Sequence, residues 1–389
     1  MTSPVQRMFS VLLTILFILP SIAADARNAQ SQIRDLLTEA EQQLHQTPWK
    51  SLGPATRALK LSEYQQDPIA TANAHLVLGR AYIGLHEMGK ALEHLLPALS
   101  TFAEYGLQKQ EAQTRRRLGG LYVQLADYDR ALSELNTALA IFQELPDLDG
   151  VSQTLNSLGV CYGNMGDLDK AREFYEQALL SFEQSNNTAG VATAHINIGE
   201  VHRLTGETEP ALIHFTTALK LARSENYRQG IAGALLRRAQ CYTGSGDLSK
   251  AWSDVAEAEK IATGAGLVDK LLDAQQLMTK IRERQGNETE AEQYRQRAAQ
   301  TASLLAEKQE KDRIAQLQAQ QEAAHAHDSD TGLVDTPAGP GKKQASDPSI
   351  IMAGLMLLIA GGCLVLLLVR RHRQSKKTGS GESSGTGSP

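Results

Sequence analysis

The sequence predicts an all-α fold in which helical hairpins stack into a solenoid, followed by one transmembrane helix near the C-terminus. Three observations predict it: a forty-residue repeat, helical spacing of small and aromatic residues within each copy, and a run of twenty uncharged residues at 350–369. A fixed period of this length is typical of repeat architectures, in which each copy is one supersecondary unit. The period is clearest in two consecutive copies, Leu118-Gly119 with Tyr122, Ala131 and Ala138, and Leu158-Gly159 with Tyr162, Ala171 and Ala178.

Each copy is predicted to form two helices joined by a tight turn. Leu158-Gly159 and Tyr162 share one helical stripe. Gly166-Asp167 supplies a left-handed residue after the first helix and an N-cap for the second. Ala171 and Ala178 lie two turns apart on the second helix, so we expect the helices to approach closely, with Tyr162 filling the space between them. One hairpin cannot bury its apolar face alone, so the hairpins must stack.

This pattern resembles the tetratricopeptide repeat. The Leu-Gly, Tyr, Ala, aromatic and Ala positions of that family are matched by Leu158-Gly159, Tyr162, Ala171, Tyr175 and Ala178. The period is forty residues where the common form has thirty-four, and the usual proline near the repeat end is absent, as in a long-helix subset of the family. The resemblance covers roughly residues 28–305. It implies a right-handed α-solenoid that binds protein or peptide on its concave side.

Residues 1–24 predict a secretory signal peptide. Arg7 precedes an apolar run from Met8 to Ile22, and the small residues Ala23 and Ala24 follow it. The run is short for a membrane span, which needs about 20 residues. An uncleaved N-terminal anchor is the alternative interpretation.

The exported part is predicted to begin with a capping unit. Residues 28–67 fit the repeat poorly and are interpreted as an N-terminal capping hairpin, with Trp49 and Leu52 covering the first full repeat. Residues 68–307 then hold six forty-residue repeats. The stretch 308–327 extends the last helix and is charged on all sides, which favours a solvated helix over a dimeric coiled coil.

The C-terminal part predicts a membrane anchor. A flexible linker at 328–349 precedes the uncharged run 350–369, which is long enough for one transmembrane helix. The tail 370–389 begins with Arg370, Arg371 and Arg373 and ends in a disordered Gly/Ser-rich segment. The positive-inside rule places this tail in the cytoplasm. The prediction is a single-pass protein of the cell inner membrane with a periplasmic repeat domain; the bacterial assignment depends on resemblance to the sensor half of bacterial repeat-containing signalling proteins.

Composition and motifs argue against catalysis. The net charge of −5 gives no reason to expect nucleic acid as a partner. The sequence contains no P-loop, His-Glu-x-x-His or Cys-x-x-Cys motif. His195 and His202 share one helical face near Glu200, but His202 stands in the Tyr position of its repeat, so a core role is favoured over a metal ligand. We expect no enzyme activity, cofactor or metal.

The candidate binding surface is the concave side of the solenoid. The resemblance places ligand-facing residues on the first helix of each hairpin. Asparagine, glutamine and arginine side chains there are suited to hydrogen bond the backbone and carboxylates of an extended peptide. The candidates are Asn73, Arg80, Arg116, Gln124, Gln153, Asn156, Asn164, Asn197, Glu200, Arg203, Arg237, Gln240 and Lys280.

Two functions fit these predictions. The first is a membrane-anchored extracytoplasmic scaffold that binds a protein or peptide partner in the groove. The alternative is a sensor or adaptor subunit that relays a periplasmic signal to a separate cytoplasmic enzyme, since only about twenty residues follow the predicted span. The linker at 328–349 argues against rigid coupling through the span. Nothing in the sequence specifies a homo-oligomer.

Overall fold

The computed structural model describes residues 27–44, 47–307 and 310, and these residues form helices and short turns without a strand. The helices are α1 27–43, α2 Pro48–Tyr64, α3 Pro68–Gly84, α4 Met88–Glu104, α5 Gln108–Gln124, α6 Tyr128–Glu144, α7 Leu148–Met165, α8 Leu168–Gln184, α9 Thr188–Leu204, α10 Thr208–Ser224, α11 Arg228–Ser245, α12 Leu248–Ala265, α13 Val268–Arg284 and α14 288–307. The predicted all-α repeat fold is confirmed.

The forty-residue period of the sequence is also the period of the structure. We call α3, α5, α7, α9, α11 and α13 the first helices and their following partners the second helices. The first helices begin forty residues apart, at Pro68, Gln108, Leu148, Thr188, Arg228 and Val268. Equivalent positions in successive repeats can therefore be compared directly.

Four hairpins close because a glycine on the first helix admits a large side chain from the second helix. A Cβ built on Gly159 meets the Tyr175 ring at 2.5 Å, and one on Gly119 meets Leu135 at 2.5 Å. At 239 the residue is alanine, and the facing position 255 holds the smaller valine; Ala239 and Val255 are both fully buried. When alanine replaces the glycine on the first helix, a smaller residue faces it on the second helix, so the space between them stays filled, as dense core packing requires.

Two aromatic residues lie between α7 and α8, and Tyr162, the one predicted there, does contact the second helix. Tyr175 of α8, not Tyr162 of α7, occupies the space opposite Gly159. Tyr162 instead stacks on Phe174, with ring centroids 5.3 Å apart and an interplanar angle of 5°. The helix direction explains this, because residue 175 lies directly across the hairpin from the glycine whereas residue 162 is nearly one turn further on.

The turn between the helices follows the predicted chemistry. Gly166 and Gly246 have φ values of 86° and 87°, in the left-handed region. The Asp167 and Asp247 side chains each accept a hydrogen bond from the backbone N–H three residues on, at 3.1 Å. These contacts satisfy a backbone donor at the start of the second helix.

The N-terminal hairpin joins the same apolar core as the repeats. Leu52 of α2 is 2% exposed and belongs to one cluster with Val77 and Leu78 of α3. That cluster extends to Cys161 of α7, whereas Cys241 of α11 packs with Ala211 and Phe215 in a separate cluster, and both buried thiols are free. Burial raises the pKa of the Cys241 thiol to about 11, which keeps it protonated at neutral pH.

Neighbouring hairpins pack asymmetrically. Each first helix contacts the next first helix, as in α3 with α5 and α9 with α11. Among α2 to α13, the backbones of two second helices do not come as close, and α10 meets α12 only through the side chains of Arg223 and Glu257. The first helices therefore lie on the more closely spaced side of the array, the side for which the sequence predicts the binding surface. We call this side the first-helix surface.

No helix within the described residues is long and apolar enough to span a membrane. The predicted signal peptide at 1–24, linker at 328–349, span at 350–369 and tail at 370–389 all lie outside the described residues. Of the predicted extension at 308–327, only residue 310 is described.

Candidate functional site

The thirteen candidates all lie on first helices, and none is fully buried. They are distributed as Asn73 and Arg80 on α3, Arg116 and Gln124 on α5, Gln153, Asn156 and Asn164 on α7, Asn197, Glu200 and Arg203 on α9, Arg237 and Gln240 on α11, and Lys280 on α13.

Two asparagines meet across the boundary between α7 and α9. Asn197 Nδ2 donates a hydrogen bond to Asn156 Oδ1 at 2.8 Å. One amide oxygen and one amide N–H are used, so each side chain keeps further hydrogen-bonding capacity for a ligand.

A second group joins α9 to α11. The Glu200 carboxylate accepts two hydrogen bonds from Arg203, at 2.7 and 2.8 Å, and lies 3.3 Å from Arg237 Nη1. Arg237 also donates to Gln240 Oε1 at 3.3 Å. Glu200 thus compensates two guanidinium groups on this part of the first-helix surface.

The other candidates are more dispersed. The side chains of Asn73, Gln153 and Lys280 make no hydrogen bond or ion pair with the described residues, and neither does Gln124. The Asn164 amide donates to Val160 O of its own helix at 2.8 Å. These residues are polar surface groups that the fold leaves available or ties locally.

Near the N-terminal end, arginines gather without matching acids. Arg80 Nη1 of α3 lies 3.6 Å from Glu41 Oε1, whose side chain is 58% exposed. Arg116 Nε is buried and has no hydrogen-bond partner. Burial, and then the charges of Arg117 and Arg80, lower the pKa of Arg116 to about 9. Burial, and then Arg80, lower the pKa of Arg117 to about 10. These three residues form what we call the arginine cluster.

Arg117 was missed at the sequence level, although the period points to it. It occupies, three repeats earlier, the position of Arg237, which the sequence analysis did select. Comparing sequence positions that lie 120 residues apart identifies Arg117 directly. The same comparison also shows that Arg80 occupies the position of Glu200.

Two histidine pairs were also missed, and they too are 120 residues apart. His75 Nδ1 lies 2.8 Å from His94 Nδ1, and His195 Nδ1 lies 2.9 Å from His214 Nδ1. The sequence analysis considered His195 with His202, but His202 stacks on His214, with ring centroids 5.4 Å apart. Among the described residues, no group of three or more His, Cys, Asp or Glu side chains is arranged to hold a metal ion.

The repeat geometry agrees with a known family. Residues 70–144 and 150–224 match the family model for the tetratricopeptide repeat. The chain contains tetratricopeptide repeats. No match to the chain is found among curated proteins.

Solved tetratricopeptide repeat structures share this arrangement at low sequence identity. The apo form of RapI has a TM-score of 0.57 and 16% identity, covering 71% of this chain and 99% of its own. Aspartyl phosphate phosphatase F from Bacillus subtilis has a TM-score of 0.58 and 14% identity, covering 75% of each chain. A Rap protein complexed with Competence and Sporulation Factor has a TM-score of 0.57 and 18% identity, covering 71% of this chain and 76% of its own. At these identities the likeness concerns the fold.

Proposed function

We propose that this protein is a binding scaffold that holds a protein or peptide partner on its first-helix surface, as a right-handed solenoid without catalytic activity of its own. The observation that carries the proposal is the concentration of polar side chains on that surface, several of which keep unused hydrogen-bonding groups. Asn73 and Gln153 are half-buried and have no side-chain partner among the described residues. Such groups are suited to the backbone amides of an extended chain.

A complexed structural neighbour supports the same function. One Rap protein with this fold has been solved in complex with Competence and Sporulation Factor. That ligand belongs to that protein, and the fold likeness supports only the use of such a repeat array for binding.

The proposal includes an exported location and a membrane anchor. The signal-peptide pattern at 1–24 and the uncharged run at 350–369 support it, and the basic residues from Arg370 support a cytoplasmic C-terminus. Single cysteines introduced in a chain whose Cys161, Cys241 and Cys363 are replaced by alanine test this topology. A membrane-impermeant maleimide should label Glu176→Cys on α8 in cells with a permeabilised outer membrane, and should label Ser380→Cys only after lysis. The reverse pattern, or labelling of both only after lysis, would rule out this location.

Site-specific crosslinking in the cell tests the binding surface. Photoreactive residues replace Asn73 of α3 or Gln153 of α7, because neither side chain has a hydrogen bond or ion pair to lose among the described residues. The control probe replaces Glu176, which is exposed on the second helix α8. We expect one exported protein to be captured from both first-helix probes and not from position 176.

The same experiment separates the alternative function. Equal capture from position 176 would contradict the first-helix surface as the binding side. Capture of a cytoplasmic enzyme by a probe at Arg373 alone would instead favour a subunit that relays a signal.

A further inference from the structure

The arginine cluster is chemically incomplete within the described residues. Arg80, Arg116 and Arg117 place three guanidinium groups on adjoining first helices, since α3 contacts α5. The only ion pair that the structure gives them is the exposed one between Arg80 and Glu41, at 3.6 Å. Arg116 Nε is buried without a hydrogen-bond partner, and a buried charged donor without an acceptor is costly. An anion bound beside these groups would remove that cost.

The later repeats show what completes the same position. Arg237 of α11 is the repeat equivalent of Arg117, and Glu200 of α9 is the equivalent of Arg80. The Glu200 carboxylate lies 3.3 Å from Arg237 Nη1 and accepts two further hydrogen bonds from Arg203. At this boundary the protein supplies its own carboxylate. At the boundary between α3 and α5 an arginine stands in its place.

Space for a ligand exists beside the cluster. Gly120 lies three residues after Arg117 on α5, and a Cβ built there meets no atom within 4 Å. The glycines that serve helix packing behave differently, since a Cβ on the adjacent Gly119 would meet Leu135 at 2.5 Å. Gly120 therefore adds no side chain to the part of α5 that follows Arg116 and Arg117.

We propose that Arg80, Arg116 and Arg117 form a carboxylate-binding subsite that takes an Asp or Glu side chain from an extended segment of a protein partner. The bound carboxylate would stand where Glu200 stands relative to Arg237. Guanidinium groups bind carboxylates through paired, charge-assisted hydrogen bonds, which gives the subsite its preference for acids. This inference deepens the proposed scaffold function and rests on it.

Binding of defined peptides to the purified full chain tests the subsite. The probes are a fluorescent octapeptide of alternating Glu and Ser and a matched peptide with Gln in place of Glu, followed by anisotropy. We expect the Glu peptide to bind on the order of tenfold or more tightly than the Gln peptide, and binding to weaken with added salt. Arg116→Gln and Arg117→Gln should each weaken the Glu peptide on the order of tenfold. Arg57→Gln, a control on α2 where the side chain is 58% exposed, should change it less than about twofold.

Arg80→Glu is the decisive variant, because an unfolded protein cannot mimic its expected result. It copies Glu200 into the first repeat, where the new carboxylate pairs with Arg117 as Glu200 pairs with Arg237. We expect the Glu peptide to lose measurable binding while the thermal midpoint stays equal or rises. Retained binding in Arg80→Glu, equal affinity for the two peptides, or binding only of a peptide carrying phosphoserine would each overturn the carboxylate assignment.

The subsite and the scaffold function fail in different ways. If the crosslinking probes capture a partner equally in the native chain and in Arg80→Glu, the scaffold stands and the subsite is wrong. If no partner is captured in the cell but the purified chain binds the Glu peptide through the three arginines, the cluster binds carboxylates, but the scaffold proposal is wrong and with it the protein partner as their source.

Discussion

Asn197 donates a side-chain hydrogen bond to Asn156 at 2.8 Å, and this contact ties the first helices of two consecutive repeats. Two repeats further on, the equivalent positions hold Leu236 and Leu277, which are 4% and 8% exposed and belong to one apolar cluster. Equivalent boundaries between first helices are thus joined by a polar pair, between α7 and α9, and by an apolar pair, between α11 and α13. While both asparagines are present, neither amide group carries the desolvation cost of an unpaired polar group, because each is hydrogen-bonded to the other.

This comparison predicts a sign reversal in a mutant cycle. Asn156→Leu or Asn197→Leu alone should lower the free energy of unfolding by about 1 kcal/mol, because the remaining half-buried amide loses its partner. The double variant copies the pair at 236 and 277 and should regain the native value or exceed it. Denaturant unfolding of the four proteins gives the coupling energy. Simple additivity of the two losses would contradict the prediction.

The pair of Arg238 and Asp254 should be a strong stabilising contact between α11 and α12. Arg238 Nε and Nη2 donate to the two Asp254 oxygens at 2.7 and 2.8 Å, and the side chains are 18% and 9% exposed. Arg238→Ala leaves a nearly buried carboxylate unpaired and should cost about 3 kcal/mol in unfolding free energy. The control is Arg223→Ala, whose partner Glu257 is 42% exposed and which should cost less than about 1 kcal/mol. Equal losses would show that burial does not decide the strength of these pairs.

Acidification should destabilise the fold through the histidine pairs. Burial, and then His75, lower the pKa of His94 to about 4, and burial, and then His195 and His202, lower the pKa of His214 to about 4. Between the ordinary value of 6.5 and 4, the unfolded chain binds protons on these rings and the folded chain does not, so stability falls as the pH falls through this window. Above 6.5 both states are neutral and the effect vanishes.

Unfolding at pH 7 and pH 5 measures this loss. The double variant His94→Asn with His214→Asn should lose less stability than the native chain over the same interval, since two of the shifted groups are gone. The residual slope belongs to His75 and His195, whose pKa values burial also lowers, and to the carboxylates. Identical losses in both proteins would contradict the role of the pairs.

In the turn between α5 and α6, replacing one residue with glycine should stabilise the fold. Ala126 has a φ of 56°, and the equivalent residue in the next repeat is Gly166, with a φ of 86°. Left-handed backbone costs a non-glycine residue about 1–2 kcal/mol, partly offset by the greater freedom of glycine in the unfolded chain. Ala126→Gly should therefore raise the thermal midpoint.

The matched control is Gly166→Ala, which should lower the midpoint. A Cβ at Gly166 meets no atom within 4 Å, so the loss would be conformational rather than steric. A lower midpoint in Ala126→Gly would show that the alanine side chain contributes something other than strain.

The forty-residue period was enough to predict the helical hairpins. The turn at Gly166-Asp167 could be predicted because a left-handed residue and an N-cap are local requirements that depend on neighbouring residues alone. The spacing did not identify the residue that packs on Gly159, which is Tyr175. That contact depends on how two helices are set against each other, which the spacing within one helix does not fix.

For the candidate surface, the sequence predicted where the residues lie but not how they pair. The period placed all thirteen selected residues on first helices. It did not show that Asn156 bonds Asn197, that Glu200 satisfies Arg237, or that Arg116 lacks a partner for Nε. These pairings join residues of different repeats or depend on burial, and both are settled only when the helices stack.

The sequence by itself determined the repeat unit, its helices and its turns, because small residues, caps and apolar periodicity act over a few residues. Tertiary structure alone decided which polar groups are paired and which are left open. Arg117 and Arg237 are both arginines and occupy equivalent positions in two repeats. One meets Glu200 across its boundary and the other faces Arg80, so their chemistry differs through the neighbour that packing supplies.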